Sequence, residues 1–291
     1  MARLDVVETF HGLFFPGHLH TQDSLQLALK FPFQDTDIII VSYPKSGTTW
    51  MQEIVTLISS RGDPHVSRSV PNWARAPWLE HHYFAALLEA SPTTPRVITT
   101  HLPHHLLGPT LQGSKAKVIY VSRNPKDVVV SFYHFHKIAK FLPEAGSFSE
   151  FLNRFLKVHY GCWFDHIEGW TRQKATMNNL YLLTLLPNHN NWNRSRRNVH
   201  DDEVNNCVKH CSFSSMKDNK MANYTLVTEE IMDHKKGFFM RKGKIGDWKN
   251  MFTEELNQYF NSVLESKMVD STLEFTWDEQ HEEETHANKS H

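Results

Sequence analysis

The sequence predicts an α/β fold, a single domain with a central parallel sheet flanked by helices. Three observations predict it. Short β-branched runs alternate with longer amphipathic stretches, the order that βαβ units produce. Two of those runs lead into turns that combine a basic residue with hydroxyls or a helix-starting proline, the kind of connection found at the carboxyl edge of an open sheet. No internal repeat or linker divides the 291 residues, and at 40% hydrophobic they can bury a substantial core.

The elements follow in chain order. Ile38-Ile39-Ile40-Val41 reads as a buried strand, with Trp50 to Ser59 as the helix behind it. Val97 to Thr99 and Val118 to Val121 read as the next strands. Lys126 to Ala139 is a helix that Pro125 suits at its first turn and whose dipole Asp127 complements. Ser149 to Lys157 and Trp163 to Lys174 are further helices, and Leu180 to Leu183 a fourth strand. From there to Asn206 the chain is rich in Asn, Pro and Arg and reads as loop. Residues 278–291 are polar, rich in Glu and His, and read as a frayed tail, which leaves 1–277 as the domain.

Composition excludes several functions. With a net charge of -1 and a pI near 7.1, no global field draws the protein to nucleic acid or to an anionic membrane, so any anion site must be local. The start, MARLDVVETFHGLFF, has Asp5 and a broken apolar stretch, which suits neither a secretory signal nor a membrane anchor. Cys162, Cys207 and Cys211 are too few for a disulfide framework and point to a reducing, cytoplasmic location. Cys207, His210 and Cys211 lack a second pair and read as an ordinary helix segment. His101, His104, His105, His134 and His136 invite a metal, but Pro103 interrupts the first group and the H-E-x-x-H spacing is absent, so no metal is expected.

Three loops carry chemistry. YPKSGTTW, Tyr43 to Trp50, joins a strand to a helix, where exposed amides and the helix dipole attract an anion. Gly47 permits close approach, Ser46, Thr48 and Thr49 can donate, and Lys45 adds a full charge. Its lysine precedes the glycine and G-x-x-x-x-G-K is absent, which disfavours a P-loop kinase. RNPKDVVVS places Arg123 at a strand's carboxyl end and Ser131 about two turns into the next helix. RKGKIGDWKN clusters Arg241, Lys242 and Gly243, which suit a phosphate. Read singly, Arg123 is more often a surface residue than a ligand, and the last loop is equally a solvated charge run.

Taken together, in this order and spacing, the three loops resemble the nucleotide-binding signatures of the cytosolic sulfotransferases, over about Phe10 to Trp277. SVPNWARAPW, GCWFDHIEGW and MANYTL are most similar to the hydroxysteroid (alcohol) branch. The resemblance implies transfer of a sulfuryl group from 3'-phosphoadenosine 5'-phosphosulfate (PAPS) to the hydroxyl of a small hydrophobic acceptor such as a steroid or another alcohol, with no metal. It implies that Lys45, Ser46, Gly47, Thr48, Thr49 and Trp50 form a P-loop-like cradle for the 5'-phosphosulfate. Arg123, Ser131, Arg241, Lys242 and Gly243 would hold the 3'-phosphate, and Ser212, Phe213 and Met216 would lie near the adenosine. His101, in VITTHLP, would be the base and Lys45 would stabilise the leaving oxygen. Phe14, Phe15, Trp73, Trp78, Phe132, Phe135 and Tyr224 would line the acceptor pocket, although each suits a core role equally well.

Two departures stand out. Leu185 replaces the family's adenine-contacting tyrosine, and the acidic pair and helix that follow it are absent through Asn206, so a catalytically impaired nucleotide or ligand binder is the alternative function. The family's dimer motif survives only as Lys249 and Thr253, with Glu254 and Gln258 substituted, which leaves homodimer formation open.

Overall fold

A computed structural model describes residues 3–90, 94–156, 161–184, 200–269, 273 and 275–277. An antiparallel hairpin comes first, β1 (Val7–Phe10) with β2 (Leu13–Pro16), turned through His11 and Gly12, both at positive φ. The main sheet then forms from β3 (Ile38–Ser42), β4 (Val97–Thr100), β5 (Lys117–Ser122) and β6 (Leu180–Thr184), all parallel in the order β4-β3-β5-β6. The four strands expected from the sequence are each present and one or two residues longer.

β3 is buried on both faces, as its unbroken β-branched run requires. Ile39 and Val41 face the large core that contains Val118, Tyr120, Phe132 and Trp170, while Ile40 faces a smaller cluster with Met51, Val55 and Val121. From β3 the chain passes through the helix Thr48–Ser59 to β4 on one side. It then returns through the helix His104–Leu111 to β5 on the other side. That reversal opens a crevice at the carboxyl ends of β3, β4 and β5, where Lys45, His101 and Arg123 follow.

The expected helices are observed at Thr48–Ser59, Pro125–Ile138 and Phe148–Phe155, and at Trp163–Thr171 continued by a 3₁₀ turn to Ala175. Several helices were not expected, among them two with side-chain caps. Gln22–Ala28 is closed by a Thr21–Ser24 capping box, and Glu254–Lys267 starts at the Thr253 cap. The loop expected through Asn206 is corrected at its end, because Asp201–His210 is a helix. Asp201, Asp202 and Glu203 fill its first turn, Lys209 and His210 its last, and both groups complement the dipole. Gly62, beside the Thr48–Ser59 helix, lets the Glu203 carbonyl approach closely: a Cβ on Gly62 would stand 2.7 Å from it. Cys207 lies in that helix and Cys211 caps it, both as free thiols. Leu185 and the tail 278–291 lie outside the described residues. Among the described residues no helix is long and apolar enough to cross a membrane.

Candidate active site

The turn after β3 is wound by two left-handed residues, Lys45 at φ 67° and Gly47 at φ 103°, the latter immediately before the helix. The helix leaves the amides of its first turn without acceptors of their own. Ser42 and Thr48 bridge the turn with their hydroxyls, 2.6 Å apart. Ser46 is 1% exposed, and its hydroxyl has no hydrogen-bond partner among the described residues. A buried donor with nothing to donate to is costly unless a ligand supplies an acceptor. The free helix amides fit the oxygens of a phosphate or sulfate, whereas Ser46, expected beside them, is buried behind the turn and does not line the cavity.

The Lys45 ammonium lies 4.4 Å from the ring centroid of Phe135 and 3.7 Å from that of Phe239. Burial first, then the nearby positive charges of Arg123 and Arg241, pull its pKa down to about 7. Lys45 therefore joins two environments, an aromatic wall and a cationic cluster. Phe239 was not singled out in the sequence, since an aromatic in a basic stretch carries no positional signal.

His101 follows β4 directly. Its ring nitrogen Nδ1 lies 2.6 Å from the Ser42 carbonyl, which can only accept, so Nδ1 carries the proton and Nε2 the lone pair. Its ring packs against Trp78, with centroids 4.4 Å apart. Burial, which outweighs the Ser42 hydrogen bond, lowers its pKa to about 3, so the imidazole is neutral at rest.

The basic loop closes against the Arg123 segment. Arg123 donates to the Lys244 carbonyl at 3.1 Å, and Arg241 and Lys242 both pair with Asp247. Asp127, expected only to complement a helix dipole, is buried and accepts from the amides of Gly246 at 2.9 Å and Trp248 at 3.0 Å. Neither aspartate could be matched to these partners from sequence, because the contacts cross more than a hundred residues or form within a tight loop.

A cavity of about 660 Å³ gathers these groups. Its lining includes Lys45, Gly47, Thr48, Thr49 and Trp50 from the first loop, His101, and Arg123, Ser131, Arg241, Lys242 and Gly243 from the cationic side. Phe213 and Met216 line it too, as do Trp73, Trp78, Phe132, Phe135 and Tyr224. Tyr224 is held at φ 63°, its ring 4.1 Å from Phe239 and 5.3 Å from Trp73. Ser212 is not among the lining residues and caps the helix Phe213–Asp218 instead. Phe14 also stands apart: it is 42% exposed on β2, while its neighbour Phe15 is buried in the core. Strand alternation sends these two side chains to opposite faces of the hairpin.

His18 and His81 also line the cavity, while two of the histidines weighed for a metal are used elsewhere. His104 packs edge-on against Trp170, and His136 Nδ1 lies 2.9 Å from the Pro143 carbonyl. Among the described residues no group of three or more His, Cys, Asp or Glu side chains could hold a metal.

Known proteins are similar to this chain in sequence and fold. The sulfotransferase domain family matches residues 35–184 and 195–272. Human sulfotransferase 2B1 is 42% identical over 285 residues, 94% of this chain and 78% of its own length. Human sulfotransferase 2A1 is 39% identical over 283 residues, 92% of this chain and 98% of its own. The crystal structure of mouse sulfotransferase SULT7A1 complexed with PAP superposes with a TM-score of 0.73 at 29% identity, covering 91% of this chain and 96% of that one. Retinol dehydratase in complex with retinol and PAP has the same TM-score at 21% identity, a likeness of fold alone.

Proposed function

This chain belongs to the sulfotransferase family and is a PAPS-dependent enzyme, and we propose that it sulfates the hydroxyl of a small hydrophobic acceptor such as a steroid or another alcohol, with His101 as base and Lys45 at the leaving oxygen. The observation that carries the reading is the convergence of Lys45 and His101, from adjacent strands, on one cavity with Arg123, Arg241 and Lys242 at its margin. PAPS, when bound, supplies the sulfuryl group and leaves as 3'-phosphoadenosine 5'-phosphate (PAP).

The chain's own residues take five tasks. Lys45 to Trp50 receive the 5'-phosphosulfate, and the free helix amides with Lys45, Gly47, Thr48, Thr49 and Trp50 on the cavity wall support that assignment. Arg123, Ser131, Arg241, Lys242 and Gly243 receive the 3'-phosphate, and Phe213 and Met216 border the adenosine side. His101 takes the acceptor's hydroxyl proton on Nε2 as the acceptor oxygen bonds to sulfur, while its Nδ1–H stays on Ser42. Lys45, whose pKa an anionic ligand raises from about 7, meets the departing oxygen as an ammonium and neutralises its charge. Trp73, Trp78, Phe132, Phe135 and Tyr224 form an apolar wall with few polar fixers, which suits a hydrophobic alcohol.

The test is a thermal-shift titration with PAP, with and without Mg²⁺, followed by transfer assays on a panel of steroids, alcohols and phenols. The expected result is metal-independent stabilisation and turnover of hydrophobic alcohols. Stabilisation without turnover of any acceptor would favour the impaired binder, and no stabilisation would overturn the nucleotide assignment.

A further inference from the structure

Glu80 is a carboxyl-bearing residue only 1% exposed, and it lies outside the lining of the cavity. Burial pushes its pKa up to about 7, against the pull of a hydrogen bond from the His101 amide. Packing alone does not explain a buried acid, because an apolar residue of similar size fills space without the desolvation cost.

What Glu80 supplies is an acceptor at a particular amide. Parallel pairing of β3 with β4 ends at Val41 and Thr100, so the next amide, that of His101, has lost its sheet partner. Glu80 Oε1 accepts from it at 2.8 Å. Glu80 is itself fixed, since its carbonyl accepts from the Ser24 hydroxyl at 2.8 Å. Trp78, two residues earlier, bridges to Thr99 of β4 and packs on the His101 ring. His101 is thus held at three further points: by Ser42 on Nδ1, by His166 Nε2 on its carbonyl at 3.1 Å, and by Trp78 on its ring face. Glu80 holds its main chain at the amide, the first one past the end of the β3–β4 pairing, as His166 does at the carbonyl.

We propose that Glu80 is a positioning residue for the catalytic base, its Oε1 setting the His101 main chain so that Nε2 is aimed at the acceptor hydroxyl. This rests on His101 being that base. A misplacement of about 1 Å in such a group can cost about 10²-fold in rate, and two conservative variants separate geometry from charge. Glu80→Asp keeps the charge but withdraws the oxygen by one methylene. Glu80→Gln keeps the oxygen in place and removes the charge.

The experiment measures kcat, acceptor KM and PAP affinity for both variants beside His101→Ala. We expect Glu80→Asp to lower kcat by about 10- to 100-fold with PAP affinity unchanged, and Glu80→Gln to recover most of kcat. The reverse order, Asp active and Gln impaired, would show that charge rather than position matters and would overturn the proposal. Equal kcat in both variants and the parent would overturn it as well, as would a parallel loss of PAP affinity. If one variant fails to fold, the His101 Nδ1–H proton resonance in the other decides: Glu80→Gln leaves it in place and Glu80→Asp shifts it. A His101→Ala enzyme with near-normal turnover would instead remove the base assignment, whatever the Glu80 variants do.

Discussion

Phe213 occupies the space that a side chain on Gly243 would need. A Cβ built on Gly243 overlaps the phenyl ring, and Gly243 itself sits at φ 66°. Gly243→Ala therefore carries two penalties, a left-handed backbone that costs about 1–2 kcal/mol for a residue with a Cβ and a clash that pushes the ring toward the adenosine side. The expected outcome is lower thermal stability and weaker PAP binding. Adding Phe213→Ala relieves the clash but not the backbone strain, so stability recovers only in part. Parent-like stability and PAP affinity in the single variant would show that the loop shifts freely.

Lys45→Ala and His101→Ala are each expected to lower turnover by about 10²- to 10⁴-fold, the usual scale for proton transfer and charge neutralisation. The folds persist, since neither side chain is part of the strand pairing. Steady-state assays beside apo unfolding curves check both halves of this expectation.

Arg241→Ala should separate two nucleotides. Losing a charge-assisted hydrogen bond costs about 1.5–3 kcal/mol, so PAP binding weakens far more than that of adenosine 5'-phosphosulfate, which lacks a 3'-phosphate. Asp247 keeps Lys242 and Asn250 as partners, so the loop does not collapse. Calorimetric titration of both ligands measures the difference, and equal losses would place Arg241 elsewhere.

Lys45 gives the site a pH dependence. Its pKa falls from 10.5 to about 7 on folding, through burial and then the charges of Arg123 and Arg241. Between these values the unfolded chain holds a proton that the folded chain has released, so the Lys45 contribution to apo stability rises with pH across that window. On the proposed assignment PAP binding runs the other way, because it draws on the Lys45 ammonium: the expected outcome is an affinity that falls as pH climbs through about 7, with proton uptake on binding. Calorimetry in buffers of different ionisation enthalpy detects that uptake, and Lys45→Met should abolish it. A parent enzyme that binds PAP without proton uptake above neutral pH would contradict the assignment.

Gly62→Ala is expected to loosen the Asp201–His210 helix. Its Cβ would stand 2.7 Å from the Glu203 carbonyl, at a residue already at φ 81°. Faster amide hydrogen exchange from 205 to 210 is the measurable result, and unchanged protection would show that this contact does not hold the helix.

The sheet was legible because β3, β4 and β5 are runs whose β-branched character has few other uses. The first two basic loops were legible because Lys45 and Arg123 sit at strand ends where helix dipoles also point, and the third only because Arg241, Lys242 and Gly243 crowd together. Of the Asp201–His210 helix only the end around Cys207 and His210 was read, because its first half is polar and, with no residue fully buried, offers few apolar residues to mark a face. The hairpin was missed although His11-Gly12 marks its turn, since four-residue strands carry too little pattern. Glu80, Asp127 and Asp247 look like ordinary acids in the sequence. Their roles depend on which distant amide or cation each meets, and only folding decides that.

The Asp127 carboxylate has a practical bearing on recombination between relatives. It grips the amides of Gly246 and Trp248, so the RNPKD and GDW stretches are two halves of one fitted part although they lie far apart along the chain. A chimaera whose crossover falls between them inherits one half from each parent, and any difference in loop length between the parents is forced onto that joint. Crossovers placed before Arg123 or after Trp248 keep the fitted halves from the same source.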